Sequence, residues 1–312
     1  MTKNDVIVIT GPTATGKSEL GIRFAEMICG EIVSADSMQV YKHMNIGTAK
    51  PALEEMRAIP HHLIDFISPA DDYSVALYVE DASKCIDNII SRKKRPIIVG
   101  GTGLYIDSLL KGRTFSARGD NELRKKLEDE FDDIGGKAML KKLQAFDEAS
   151  AAKLSANDKK RIVRAIEVFI TSGKTISEHD IDTDSLPPKY NATIFALTFD
   201  KRDILYERIN RRVDDMILKG LLNEVRELLE MGVSCSSTAM QAIGYKEMSA
   251  VINGKNDMEH AIEKMKMESR RYAKRQLTWL RRNKEINWIT WVSEPDFCFG
   301  LRKLMELTYE KK

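Results

Sequence analysis

Gly11-Pro12-Thr13-Ala14-Thr15-Gly16-Lys17-Ser18 stands between the apolar run Val6-Ile7-Val8-Ile9 and the amphipathic pattern Leu20, Ile22, Phe24, Ala25, Ile28. A buried strand, a glycine-bounded turn and a helix in that order make a phosphate cradle, the P-loop. The turn aims backbone N–H groups at a ligand on the positive end of the helix, and Lys17 adds a full charge where two linked phosphates would lie. Ser18 offers a hydroxyl to a magnesium ion. The pattern predicts an α/β fold, a P-loop NTPase-like parallel sheet core with helices on both faces. The cradle reads phosphates only. Nucleoside triphosphates such as ATP are its usual ligands, and a prenyl diphosphate fits it equally well.

With 312 residues, 43% of them hydrophobic and 31% charged, the chain can bury a proper core and still carry a polar surface. Its net charge of +2 is close to neutral, so affinity for a polyanion must come from local clustering. Cys29, Cys85, Cys235 and Cys298 form no CxxC pair, which argues against a zinc site or a disulfide framework and fits a reducing, cytoplasmic setting. The first strand follows almost at once on the first residue, and no apolar run approaches membrane-spanning length, so neither a signal peptide nor a membrane partner is expected.

Outward from the cradle, Glu31 to Ala35 reads as a second strand that delivers Asp36-Ser37-Met38-Gln39 at its carboxyl end. Ligands of open parallel sheets bind there, so Asp36 should face the crevice of Lys17, although an aspartate in that place also suits a turn cap. His61 and His62 on an extended segment point to opposite sides, which predicts one packed and one exposed ring. Ser74 to Ile90 is helical by period and ends in the basic run Arg92 to Arg95, read as a solvated helix end. Ile97-Ile98-Val99 is a third strand, followed by Gly100-Gly101-Thr102-Gly103-Leu104-Tyr105, a second glycine-rich turn opening on the same crevice.

From residue 117 to 188 strand-like runs disappear and charged helical periods dominate, which predicts a helical insertion between core segments 1–116 and 189–312. A capped helix start at 155–158 carries a basic face there, with Lys160, Arg161 and Arg164. Beyond the fourth strand, Thr193 to Leu197, comes a helix with Arg208 and Arg212 four residues apart, placed to clamp an anion. Met240 to Glu247 has a poor core pattern and reads as a contact loop. The helix from Asp257 to about Asn283 carries a run of cations around Tyr272 and Trp279, a localised positive field suited to phosphate backbones. Trp288 to Val292 reads as the last strand.

Taken together, the P-loop, Asp36-Ser37-Met38-Gln39-Val40-Tyr41, Ile46-Gly47-Thr48-Ala49-Lys50-Pro51, His61-His62-Leu63-Ile64-Asp65, Gly100 to Tyr105 and Arg271 to Trp279 stand in the order and spacing of bacterial tRNA dimethylallyltransferases. The chain resembles that family from Val6 to Trp291, and lacks the zinc finger of the eukaryotic relatives. The resemblance implies transfer of a dimethylallyl group from its diphosphate to N6 of adenosine 37, beside the anticodon of a tRNA. It implies Asp36 as general base, Thr102 beside the reaction channel, and Gly11 to Ser18 with magnesium and an arginine such as Arg212 on the diphosphate. Ser37, Met38 and Gln39 would hold the flipped base. Arg124, Lys160, Arg161, Arg164, Gln241, Gly244, Tyr245, Lys246, Lys274, Arg275 and Gln276 would touch the anticodon stem-loop. A monomer is expected. A kinase using the cradle for ATP, an adenylate isopentenyltransferase and a non-catalytic RNA-binding protein are the alternatives that these residues leave open.

Overall fold

The alternation Val6, Val8 against Ile7, Ile9 puts every apolar side chain of the first strand into one of two cores, and all four are buried. The computed structural model describes residues 5–113 and 120–309. It shows β1 (Asp5–Thr10), α1 (Lys17–Ile28), β2 (Gly30–Ser34), β3 (His61–His62), α2 (Val75–Ser91), β4 (Arg95–Gly100) and α3 (Gly103–Leu110). After five further helices come β5 (Asn191–Phe199), α9 (Arg202–Leu218), α10 (Leu221–Glu230), α11 (Tyr245–Ile252), α12 (Met258–Leu280), β6 (Asn287–Trp291) and α13 (Phe297–Tyr309). The five are α4 (Asn121–Ile134), α5 (Gly136–Gln144), α6 (Glu148–Ala151), α7 (Lys159–Ser172) and α8 (Ile176–Ser185).

The strands pair in parallel in the order β3-β2-β4-β1-β5-β6. β1 connects outward past β4 to β2, whereas β4 connects past β1 to β5. The order therefore reverses at β1 and β4, and the crevice that such a switch point opens lies at their carboxyl ends. On one face Val6, Val8, Val33 and Ile98 join a core shared with α2 and α3 and continued by α10 and α11; on the other Ile7, Ile9, Ile97 and Phe195 join a core shared with α1 and α13. Ser74 caps α2 by accepting from the Leu77 N–H, and Asp257 caps α12 by accepting from His260.

The chain divides into two compact units, Met1–Leu110 with Tyr190–Lys312, and Lys111–Lys189. The expected boundary between residues 116 and 117 lies outside the described residues. The second unit has its own small core, with Leu127, Met139, Leu143, Ile162, Val163 and Ile166 buried between helices. Glu167 in α7 is buried there and neutralised by Arg124 and Arg164 at 3.1 and 2.9 Å. Lys160 and Arg161 are exposed. The Asp158 side chain makes no cap hydrogen bond to the first turn of α7; its carboxylate instead accepts from the Ser155 N–H at 2.8 Å.

Two local expectations are revised. The basic run after α2 is not simply solvated: Arg92 grips the buried Glu31 with two hydrogen bonds, holding that carboxyl down to about 2. Both histidines of β3 are half-buried, because the rings bond to opposite sides of an edge strand, His61 to the Ile59 carbonyl at 2.7 Å and His62 to Glu31 at 2.8 Å.

Candidate active site

Glycine is required at both ends of the P-loop. Gly16 lies at φ +83° in the N-cap of α1, and a Cβ on Gly11, itself at φ +149°, would stand 2.7 Å from the Leu197 carbonyl oxygen. The loop's outward carbonyls are tied down: Pro12 accepts from Thr15 Oγ1 at 2.8 Å, Ala14 from Arg208 Nε at 3.1 Å, and Thr15 from Trp291 Nε1 at 3.0 Å. With those oxygens fixed, the rest of the turn is held open around its ligand before any ligand arrives.

The cradle forms part of a cavity of about 450 Å³ whose lining includes Thr13, Lys17, Ser18, Asp36, Ser37, Met38, Gln39, Arg212, Tyr272, Arg275 and Gln276. Its apolar wall comprises Ile209, Val213 and Met216 of α9 with Met265 of α12. Inside, the buried cations Lys17 and Arg212 meet Asp36, and the exposed Arg275 adds a third positive side chain to the lining. Burial and the nearby Arg212 charge pull the Lys17 ammonium down to about 8, with Asp36 opposing them. Burial also lowers the Arg212 guanidinium from its ordinary value, again against Asp36.

Asp36 is both turn cap and cavity group. Its Oδ1 accepts from the N–H groups of Met38 at 2.9 Å and Gln39 at 3.3 Å, while Oδ2 has no hydrogen-bond partner among the described residues. The cap thus orients the carboxylate and leaves one oxygen for a proton. Thr102 ties the second glycine-rich turn to the Asp36 segment: its Oγ1 accepts from the Ser37 N–H at 3.1 Å, and its own N–H donates to the Ala35 carbonyl at 3.1 Å.

Sequence reading missed the part played by Tyr272. Its spacing with Trp279 marks a packing stripe, and Trp279 does donate to Asp107 at 2.8 Å. Tyr272, however, turns into the cavity. Burial and the Asp36 charge push its hydroxyl up to about 12, against the effect of Thr102, so it remains a donor there.

Three expected surface contacts are not at the surface. Tyr245 is fully buried and its hydroxyl donates to Glu224. Gly244 is the buried N-cap of α11, its N–H donating to Glu247 in a capping box, so 240–247 is a 3₁₀ turn and a helix start rather than a contact loop. Gln276 is also buried: it accepts from the Thr13 N–H at 3.1 Å and donates to the Gly101 carbonyl at 2.8 Å, clasping the two glycine-rich turns together. Gln241, Lys246, Lys274 and Arg275 are exposed. Gln276→Ala should cost about 1–3 kcal/mol of stability, since it strands a buried acceptor and a loop donor; urea melts of the two proteins read the difference.

A family model described as IPP transferase matches residues 39–283. The chain belongs to the IPP transferase family. It is 48% identical over 287 residues to the tRNA dimethylallyltransferase of Acetivibrio thermocellus, covering 92% of this chain and 91% of that protein. Against the tRNA dimethylallyltransferase of Carboxydothermus hydrogenoformans the identity is 49% over 284 residues, with 91% of each chain covered. Among solved structures it is similar to the tRNA isopentenylpyrophosphate transferase of Bacillus halodurans, with a TM-score of 0.73 and 38% identity over 99% of this chain and 96% of that one. A eukaryotic dimethylallyltransferase acting on tRNA superposes with a TM-score of 0.82 at 30% identity, over 98% of this chain and 79% of the other. The P-loop and Asp36 precede the residues that the family model matches, and their assignment rests on the geometry above.

Proposed function

We propose that this chain transfers a dimethylallyl group from dimethylallyl diphosphate to N6 of adenosine 37 in tRNA, forming N6-isopentenyladenosine and releasing diphosphate. The observation that carries the reading is the meeting of Lys17, Arg212 and Asp36 in one cavity with an apolar wall. The cradle and its two cations suit a diphosphate, the wall suits a five-carbon group, and the carboxylate suits an acceptor that must lose a proton. Such a leaving group separates from an allylic carbon with charge building on its bridging oxygen, which Lys17 and Arg212 stabilise. As the C–O bond breaks and the C–N bond forms, Asp36 Oδ2 takes the N6 proton. Ser37, Met38, Gln39 and Thr102 hold the extruded base, which an anticodon loop gives up at a smaller unstacking cost than a duplex.

Magnesium belongs to this reading as a partner of the diphosphate. Among the described residues no group of three His, Cys, Asp or Glu side chains is placed to hold a metal. A magnesium ion carried by phosphate oxygens needs few protein ligands, and the Ser18 hydroxyl in the first turn of α1 meets that need. When bound, the ion neutralises charge on the departing diphosphate.

For tRNA, the exposed Arg271, Lys274 and Arg275 of α12, Arg281 and Arg282 just past its end, and Gln241 and Lys246 offer contacts to a phosphate backbone; the helical unit separately exposes Lys160 and Arg161. Arg124 and Arg164 act there through Glu167, as supports of the unit. The enzyme works as a monomer in the cytoplasm. No helix among the described residues is long and apolar enough to cross a membrane.

Diphosphate release tests the reaction class. Donor and unmodified tRNA together should release one diphosphate per tRNA, and neither alone should release any; release without tRNA would contradict the reading. The Lys17 ammonium adds a pH signature. Its charged form prevails below about 8 in the empty cavity, so the donor KM should rise as pH climbs through that value. Above it, binding should draw a proton from solution, which calorimetry in buffers of different ionisation enthalpy reads directly.

A further inference from the structure

Glu224 of α10 is buried, and its carboxylate receives four donors. Oε2 accepts from the N–H groups of Asn45 at 2.9 Å and Ile46 at 2.8 Å; Oε1 accepts from the Gly47 N–H at 3.2 Å and the Tyr245 hydroxyl at 2.5 Å. Three consecutive backbone amides around one carboxylate form a nest that fixes the loop's path. Burial and the Glu224 charge both push the Tyr245 hydroxyl above its ordinary range, so it stays a donor. The fit allows no side chain at Gly47, where a Cβ would stand 2.4 Å from the Tyr245 ring.

The far side of the same loop reaches the cavity. The Thr48 carbonyl accepts from Arg212 Nη2 at 3.4 Å and from Gln39 Nε2 at 3.2 Å, and the Ala49 carbonyl accepts from Gln39 Nε2 at 3.2 Å. With both hydrogens of Nε2 committed, Gln39 has Oε1 as its remaining polar atom in the cavity, an acceptor suited to a base N–H. One loop therefore joins Glu224 to a cation and to an amide on the cavity wall.

We propose that Glu224 is a positioning residue for the transfer, setting Arg212 against the departing diphosphate through the loop 45–49. The inference rests on the prenyl-transfer reading, and its test separates the two. Glu224→Gln keeps the shape but turns an N–H donor toward amides that also donate. It should lower kcat about 10- to 100-fold while tRNA affinity changes less than about threefold, and in an Arg212→Met background the same change should cost less than about threefold. Calorimetry with inorganic diphosphate and magnesium should show the same pattern, with Glu224→Gln weakening binding only where Arg212 is present.

Tyr245→Phe removes a single hydroxyl and carries the same cycle should Glu224→Gln fail to fold, with a smaller loss, about three- to tenfold in kcat, that again disappears beside Arg212→Met. Equal losses in both backgrounds, or unchanged kcat in both variants, would overturn the proposal. A wild-type protein that transfers no prenyl group would overturn the prenyl reading alone, because the diphosphate cycle would still report whether Glu224 acts through Arg212.

Discussion

Asp36→Asn should lower prenyl transfer about 100- to 10,000-fold in kcat while leaving tRNA affinity within about threefold. The substitution is nearly isosteric. Asparagine Oδ1 can still accept from the Met38 and Gln39 N–H groups, which lie 2.9 and 3.3 Å from the native oxygen, so the turn survives. What disappears is the oxygen able to take a proton from N6, an amine already weak because its lone pair is delocalised into the ring. A secondary effect must be kept apart. Asp36 also supports the charges of Lys17 and Arg212, so its loss moves the Lys17 ammonium below about 8 and weakens donor binding near neutral pH. Single-turnover rates at saturating donor and slightly acid pH isolate the chemical step. A variant within about tenfold of wild type under those conditions would refute the general-base assignment.

Lys17→Met should cost about 100- to 1,000-fold in kcat/KM, read from initial rates across donor concentrations. The replacement keeps the length and burial of the side chain; it removes the cation and its 3.4 Å hydrogen bond to the Pro12 carbonyl, which still accepts from Thr15 Oγ1, so folding is little disturbed. The loss should fall on kcat as well as on KM, since charge on the diphosphate grows as the carbon–oxygen bond breaks. Arg212 remains and supplies the residual rate. A loss confined to KM would mean that Lys17 binds the donor without favouring its departure.

Much of the fold was legible because its signals are local. The runs at Val6, Ile97 and Thr193 are apolar on both faces, as strands covered on both sides must be, and each is followed by glycines or charges where the chain turns. Ser74 and Asp257 announce their helices by capping chemistry. The crevice was legible for the same reason: the carboxyl ends of β1 and β2 carry the P-loop and Asp36, which both line the cavity, as does Gly100 at the end of β4.

Long-range partnerships were not legible. Gln276 sits in a run of cations and looks like part of the same surface, yet it lies 263 residues from Thr13, whose N–H it accepts. Glu224 lies 179 residues from Asn45 and has the spacing of an ordinary helix charge. Tyr245 and Gly244 were misread because a glycine beside an aromatic and two charges also describes a loop. Glu247, three residues after Gly244, was the available sign of a capping box. Tyr272 shows the limit of periodicity: a stripe gives the side of a helix and leaves open whether that side meets a core or a cavity.

The central claim is that this P-loop serves a prenyl donor, and nucleoside mass analysis tests it most directly. Unmodified tRNA is incubated with the protein, magnesium and dimethylallyl diphosphate, and in parallel with ATP in place of the donor, then digested to nucleosides. The account predicts isopentenyladenosine in the first digest and none in the second. No prenylated nucleoside in either digest, with ATP consumed in the second, would contradict it and make the cavity that of a kinase.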